Sequence, residues 1–345
     1  MQISKKCNVA IVGATGLVGR TMLKVLIERN FPINEIKLLA SARSAGNTIL
    51  FKNQNLTVEP LNENSFENVD IALFSAGAYV SENFAPIAVK SGCIVIDNGS
   101  FWRMKPEIPL VVPEVNAYEL HNHKGLIANP NCSTIQLVVP LHFISKINPL
   151  KRVVISTYQA TSGAGQKGLD KYHSEMQGIP NDDKYKIFNS VIFHSAFNEN
   201  GNTIEEEKMI NETRKILNIP LLPISATCVR IPIENSHSIS ANVELANSCD
   251  FDAIKNVMLN SKGIIFVDSD SKFDVAKTAD SKNNADYDYP FPLMSNDKDE
   301  VFVGRLRKDH SAENAISLWV VADNLRKGAA TNAVQIAEYI LEKKL

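Results

Sequence analysis

Along the first third of the chain, short apolar runs alternate with segments in which apolar residues return every three or four positions. Asn8 to Val12, Ile36 to Ala40, Ile71 to Phe74 and Cys93 to Ile96 have the β-rich character of buried strands. Leu17 to Glu28 and Ser81 to Lys90 have helical spacing, with Leu23, Leu26 and Ile27 on one side of the former. Such alternation predicts parallel strands with helices on both faces, a doubly wound α/β sheet of the nucleotide-binding kind. Gly125 to Ala128 reads as one more strand, followed by a mostly apolar helical stretch from Ile135 to Ile144.

From about Lys151 the pattern changes. Arg152 to Tyr158, Ser225 to Ile231, Ser240 to Leu245, Glu300 to Leu306 and Ala315 to Val321 read as strands, several alternating with period two. Ile204 to Leu217 and Asp252 to Leu259 read as helices. Strands in succession with few crossover helices predict an α+β domain on a mainly antiparallel sheet. Asp268 to Asp288, rich in Asp, Ser, Asn and Lys, reads as a surface loop. An amphipathic helix from Leu325 to Leu341 ends the pattern and is expected to return to the first domain. The expected division is 1–130 and 131–324, with 325–345 rejoining the first part.

The 345 residues suffice for two cores. A net charge of −2 gives no argument for bulk attraction to nucleic acid or membrane, yet leaves room for a local anion pocket. The five cysteines are odd in number and free of CxxC spacing, so reduced thiols are expected, with no disulfide framework and no metal site. The N-terminal residues lack an apolar signal core, and no stretch is apolar enough to span a bilayer. The cytoplasm is the expected location.

Two motifs bring chemistry. Gly13-x-x-Gly16-x-x-Gly19 follows a strand and opens a helix, where glycines permit a tight turn and let backbone N–H groups approach a pyrophosphate. A plain strand–helix turn is the alternative. The second strand ends without the acidic residue that would hold a ribose 2′-hydroxyl, and runs into Ser41-Ala42-Arg43-Ser44-Ala45-Gly46. A guanidinium flanked by hydroxyls suits a 2′-phosphate, hence NADP, unless Arg43 is simply solvated. In Asn129-Pro130-Asn131-Cys132-Ser133-Thr134, a thiol stands where strand gives way to helix, and the helix dipole there favours the thiolate. Reactive thiol and nicotinamide together imply an aldehyde dehydrogenase working through a thioester. The other cysteines, 7, 93, 228 and 249, read as small buried hydrophobes. Among the seven histidines, His237 follows Arg230 in a strand that breaks at Pro232, and a pKa near neutrality would suit it as acid or base. A surface histidine is the alternative.

Taken in order, these segments resemble the aspartate-β-semialdehyde dehydrogenase family along nearly the whole chain, in its bacterial branch. The resemblance also rests on Gln159-Ala160-Thr161-Ser162-Gly163-Ala164-Gly165, Glu205-Glu206-Glu207-Lys208, Arg230 to His237, and Asp323 to Ala330. It implies a Rossmann-type NADP-binding domain and a catalytic and dimerisation domain, in a homodimer or homotetramer. It implies reductive dephosphorylation of L-aspartyl-4-phosphate to L-aspartate 4-semialdehyde, with release of inorganic phosphate, on the route to lysine, methionine and threonine. By the same resemblance Cys132 carries the acyl group, His237 moves protons and Gln159 orients the substrate and the thioester. Arg230 pairs with the substrate carboxylate, Glu205 holds its ammonium group, and Arg103 and Lys208 bind phosphate. Gly13, Thr15, Gly16, Leu17, Val18, Ser41, Arg43, Ser44, Ser162, Gly163 and Asn324 fall at cofactor positions.

The residues bear on these roles independently. Arg230 can grip a carboxylate bidentately. Glu205 and Lys208 lie three apart on a predicted helix, so they can share a cleft or merely pair with each other. Arg103 could instead snorkel at the surface. Three consecutive glutamates blur whether Glu205 or Glu206 is the anchor. An N-acetyl-glutamyl-phosphate reductase would not need that anchor, and its cysteine motif differs. A glyceraldehyde-3-phosphate dehydrogenase-like enzyme would show the acidic NAD signal. A non-catalytic NADP-sensing regulator would have no reason to keep Cys132, Gln159, Arg230 and His237 together.

Overall fold

The computed structural model describes residues 6–194, 196–268 and 287–345. The stretch expected as a loop between Asp268 and Asp288 lies, apart from its ends, outside the described residues. The chain divides into two compact units, Met1–Cys132 with Gly328–Leu345, and Ser133–Lys327.

In the first unit, β1 (Cys7–Val12), α1 (Leu17–Glu28), β2 (Ile33–Ala40), β3 (Thr48–Phe51), β4 (Gln54–Pro60), β5 (Ile71–Phe74), α2 (Ala78–Lys90), β6 (Ile94–Asp97), α3 (Pro113–Asn116) and β7 (Leu126–Ala128) follow in order. The sheet order is β3-β4-β2-β1-β5-β6-β7. All neighbours are parallel except the β3–β4 hairpin at the edge. The hairpin was not legible in the apolar pattern. Its turn is Lys52-Asn53, both left-handed at φ 45° and 66°, so the geometry is present without the usual glycine signal. Strand order reverses at β1, which puts the loop after β1 at the switch point where doubly wound sheets bind ligands.

The C-terminal helix α9 (Thr331–Lys343) buries Ala333, Val334, Ile336, Ala337 and Ile340 in one apolar cluster with Met22, Leu26, Leu38, Leu73 and Ile127. At the end of α1, Arg29 grips Glu338 of this helix through two hydrogen bonds of 2.8 and 2.7 Å. The helix expected from Leu325 begins later than the periodicity suggested. Asp323 accepts the N–H groups of Leu325 and Arg326, and a π-type turn over Arg326–Ala330 precedes the α-helix.

The second unit contains most of α4 (Cys132–Ile147), then β8 (Leu150–Gln159), α5 (Gln166–Met176), β9 (Ile192–Phe193), α6 (Ile204–Leu217), β10 (Ile224–Arg230), β11 (His237–Leu245), α7 (Phe251–Asn260), β12 (Ile264–Val267), α8 (Pro292–Ser295), β13 (Val301–Asp309) and β14 (Ala315–Ala322). The sheet runs β12-β13-β14-β11-β8-β10-β9. It is mixed but mainly antiparallel, with β12–β13 and β8–β10 the parallel pairs. Alternate residues of β8 and β11 (Val153, Ile155, Thr157, Gln159; His237, Ile239, Ala241, Val243) are buried. Their intervening neighbours Ser156, Tyr158, Ser240 and Asn242 stand half-buried on the opposite face.

Candidate active site

The glycine turn after β1 is built to approach a ligand closely. Gly13 sits at φ +89°, and a Cβ there would lie 2.3 Å from the Ser75 carbonyl oxygen. A Cβ on Gly19 would lie 2.3 Å from the Gly13 oxygen, so α1 can rest on the turn only without a side chain. Gly16 is the N-cap of α1, is exposed and offers no capping side chain to the first turn. Thr15, Leu17 and Val18 flank it, half-buried. These features fit a dinucleotide pyrophosphate at a helix N-terminus. The Ser41–Ser44 turn follows β2 directly, closed by Ser44 N–H to Ser41 O at 2.8 Å. It is tied to β4 by bonds from Gly46 N–H to Val58 O and from Val58 N–H to Asn47 O. Arg43 is exposed and forms no ion pair among the described residues.

Cys132 is the first residue of α4 and is half-buried, as is Cys249, against the expectation of burial there, whereas Cys7, Cys93 and Cys228 are buried. Burial, aided by the charge of Asp70, pushes the Cys93 thiol up to about 12. The backbone of Gly328 presses on Cys132 so closely that a Cβ on the glycine would lie 2.9 Å from the cysteine Cβ. The loop leading to Cys132 is held by a buried amide network. Asn129 donates to the Asn98 side-chain oxygen at 2.6 Å, and Asn332 donates to Asn129 at 2.7 Å and to the Val111 carbonyl at 2.9 Å. Arg103 is buried, so the snorkelling alternative does not hold; its Nη2 donates to the Asn98 carbonyl at 2.9 Å. Its charge also acts on buried Asp97, whose carboxyl is raised by burial against hydrogen bonds from Ser81 and Gly99. Nothing in the motif reading had pointed to Asn98, Asn332 or Asp97.

In the second unit, strand register brings separate motifs onto one face. Gln159 of β8 pairs with Arg230 of β10. On the other side of β8, Tyr158 pairs with Ser238 of β11, so His237 falls beside Gln159. His237 Nδ1 accepts the Ala160 N–H at 3.0 Å, and Arg230 Nη1 donates to the Ala160 carbonyl at 2.6 Å. Gly163 closes over both: a Cβ there would lie 2.7 Å from Arg230 Nη1 and 3.0 Å from His237 Cε1. Because Nδ1 is an acceptor, the proton of the neutral ring sits on Nε2. Burial first, then the Arg230 guanidinium, pushes the His237 pKa down to about 3 against the pull of Glu205. The sequence-based expectation of a pKa near neutrality is therefore corrected: the ring is buried, neutral and a donor at Nε2.

Helix α6 starts at a capping box in which Thr203 and Glu206 satisfy each other's backbone N–H groups. The other carboxylate oxygen of Glu206 accepts the Cys228 N–H at 2.9 Å, which commits this residue to structure. Glu205 instead faces Gln159, whose Nε2 donates to it at 3.1 Å, and pairs with Lys208 at 3.0 Å. Of the two glutamates, only Glu205 bonds the Gln159 side chain. The intrahelical pair anticipated as the bland alternative does form, but Glu205 also reaches across to the sheet. Ser162 and Asn324 are buried and bond each other, Asn324 Nδ2 donating to Ser162 Oγ at 2.9 Å. Asn324 also accepts the N–H of Ser236, which is left-handed at φ 68° immediately before His237. These side chains steer the histidine turn.

Two family models match the chain: the NAD binding domain of semialdehyde dehydrogenase over residues 8–123, and the semialdehyde dehydrogenase dimerisation domain over residues 140–327. A protein of Aquifex aeolicus named aspartate-semialdehyde dehydrogenase is 49% identical over 98% of this chain and 99% of its own length. One of Bacillus subtilis with the same name is 47% identical over 98% of each. A crystal structure of aspartate semialdehyde dehydrogenase II from Vibrio cholerae, complexed with ASA, matches with a TM-score of 0.91 at 41% identity, covering 99% of this chain and all of that one.

Proposed function

The chain belongs to the aspartate-semialdehyde dehydrogenase family, and on that premise we propose that it reduces L-aspartyl-4-phosphate to L-aspartate 4-semialdehyde through a thioester on Cys132. The observation that carries this reading is the pairing of opposite charges on one face of the second sheet. Arg230 is held by the Ala160 carbonyl, and Glu205 is bonded to Gln159, the residue beside Arg230 in the sheet. Such a pair suits the carboxylate and ammonium of a free amino acid. An N-acylated substrate would leave the Glu205 carboxylate with no cation to meet.

In this mechanism the Cys132 thiolate attacks the acyl carbon. The bond to the phosphate oxygen breaks, and phosphate leaves with the electron pair, stabilised by Arg103 and Lys208, to take its proton from water. When bound, a nicotinamide supplies hydride to the thioester carbon. His237 Nε2–H donates to the oxygen that becomes an anion as that carbon turns tetrahedral. Preorganised donors of this kind typically contribute about 2.7–4 kcal/mol. Collapse breaks the C–S bond, frees the aldehyde and restores the thiolate. Arg230 and Glu205 hold the head group throughout, and Gln159 orients it.

The cofactor is NADP, with Gly13, Thr15, Gly16, Leu17 and Val18 around the pyrophosphate, and Ser41, Arg43 and Ser44 around the 2′-phosphate. The working form is a homodimer that covers the half-buried face of Ser156, Tyr158, Ser240 and Asn242. The product feeds lysine, methionine and threonine synthesis in the cytoplasm; no helix among the described residues is long and apolar enough to cross a membrane.

One assay tests the reading: phosphate-dependent reduction of NADP by L-aspartate 4-semialdehyde. Turnover is expected with NADP well above that with NAD at equal concentration, and loss of at least about a thousandfold in Cys132→Ser, since an alkoxide nucleophile lacks activation there. Undiminished turnover by the serine variant, or preference for N-acetyl-glutamate semialdehyde, would overturn it.

A further inference from the structure

The second sheet carries one more imidazole that the mechanism above does not use. His194 directly follows the edge strand β9, in which Ile192 pairs with Arg230 and Phe193 with Val229. Two residues past Ile192, His194 returns to the face on which Arg230 and Gln159 lie. Its ring is under the charges of Arg230, Glu205, Lys208 and Glu206, and it acts in turn on His237. Its Nε2 is sealed from solvent and has no hydrogen-bond partner among the described residues. A buried polar atom without a partner is uncommon and costly in a folded protein. Burial, then the Arg230 guanidinium, holds its pKa down to about 4. The ring is therefore neutral where the enzyme works, and one of its nitrogens carries a proton to donate.

Building on the function proposed above, we propose that His194 is a substrate-binding residue whose Nε2–H donates to the α-carboxylate gripped by Arg230. The guanidinium supplies charge and the imidazole a directed hydrogen bond, so the carboxylate is fixed in orientation as well as in place. The substrate, in turn, satisfies the sealed nitrogen. A glutamine side chain can place its amide nitrogen near the Nε2 position, whereas asparagine reaches only as far as Nδ1.

The test compares His194→Ala, His194→Asn and His194→Gln with the unaltered enzyme in the phosphate-dependent oxidation of L-aspartate 4-semialdehyde. A hydrogen bond to a charged group predicts a rise of about 10- to 100-fold in the semialdehyde KM for the alanine and asparagine variants. The glutamine variant is expected within about threefold of the parent, and the KM values for NADP and phosphate within about twofold in all three. An alanine KM within twofold of the parent overturns the inference. So does a glutamine variant as impaired as alanine, or an equal loss toward phosphate and NADP, since either signals packing. Should alanine not fold, the asparagine–glutamine contrast decides alone. An unaltered enzyme inactive on the semialdehyde would instead refute the function itself, which keeps the two failures apart.

Discussion

At the scale of single residues, the absence of a side chain at Gly163 constrains the face that carries Arg230 and His237. Arg230 Nη1 is already fixed by the Ala160 carbonyl at 2.6 Å, so a methyl group 2.7 Å away must displace either the guanidinium or the His237 ring. Gly163→Ala is expected to lower kcat/KM for the semialdehyde by at least about tenfold, because angstrom-scale misplacement of binding groups costs rate steeply. The melting temperature is expected to stay within a few degrees, which calorimetry would check. Ser236 makes the complementary point. Its left-handed backbone is a cost, and the bonds from its N–H to Asn324 and from its Oγ to Asn296 hold it there, which aims His237. Glycine at 163 was visible within the Gln159 to Gly165 motif. The strained serine left no trace in the pattern.

At the scale of elements, helices with caps were legible almost to the residue. Leu17–Glu28 and Ile204–Leu217 match the apolar periodicity because each ends on a left-handed asparagine, Asn30 or Asn218, and the second opens on the Thr203–Glu206 box. The β3–β4 hairpin escaped notice because Lys52-Asn53 does not announce a turn, and α4 starts three residues before its apolar run, at Cys132. Which glutamate reaches Gln159 could not be read either, since that depends on the Cys228 N–H of β10 claiming Glu206. The closing helix α9 is a sequence-distant part of the first core. Ile336→Ala, at a fully buried position, is expected to destabilise that unit by about 2–5 kcal/mol, as buried isoleucine truncations do. Urea unfolding followed by far-UV circular dichroism checks this, and a loss below 1 kcal/mol would mean the helix contributes little to the core.

At the scale of the whole molecule, histidines held neutral by burial contribute to the response to acid. The ordinary histidine value is 6.5; the fold depresses it to about 3 at His237 and about 4 at His194. Burial also lowers His123 and His142. The unfolded chain therefore binds protons that the native state refuses, and stability rises with pH across this window. The contribution is complete above pH 6.5 and is lost as pH falls, through about 4 for His194 and about 3 for His237. Comparing His237→Asn with its parent between pH 6.5 and 5 isolates one group. The slope of stability against pH is expected to fall by about one proton, and an unchanged slope would show that this ring titrates normally. The depression at His237 and His194 was not readable from the sequence, because strand register decides the surroundings of both rings.

The turn that carries Arg43 hangs on the outer margin of the first sheet, fastened to β4 through Gly46 and Asn47 and remote in sequence from the thiol. Substitutions there disturb no packed interior. On the proposed reading, a lineage could therefore exchange one reductant pool for another in a step or two, leaving its carbon–sulfur chemistry intact. Such evolvability comes from where the loop is attached.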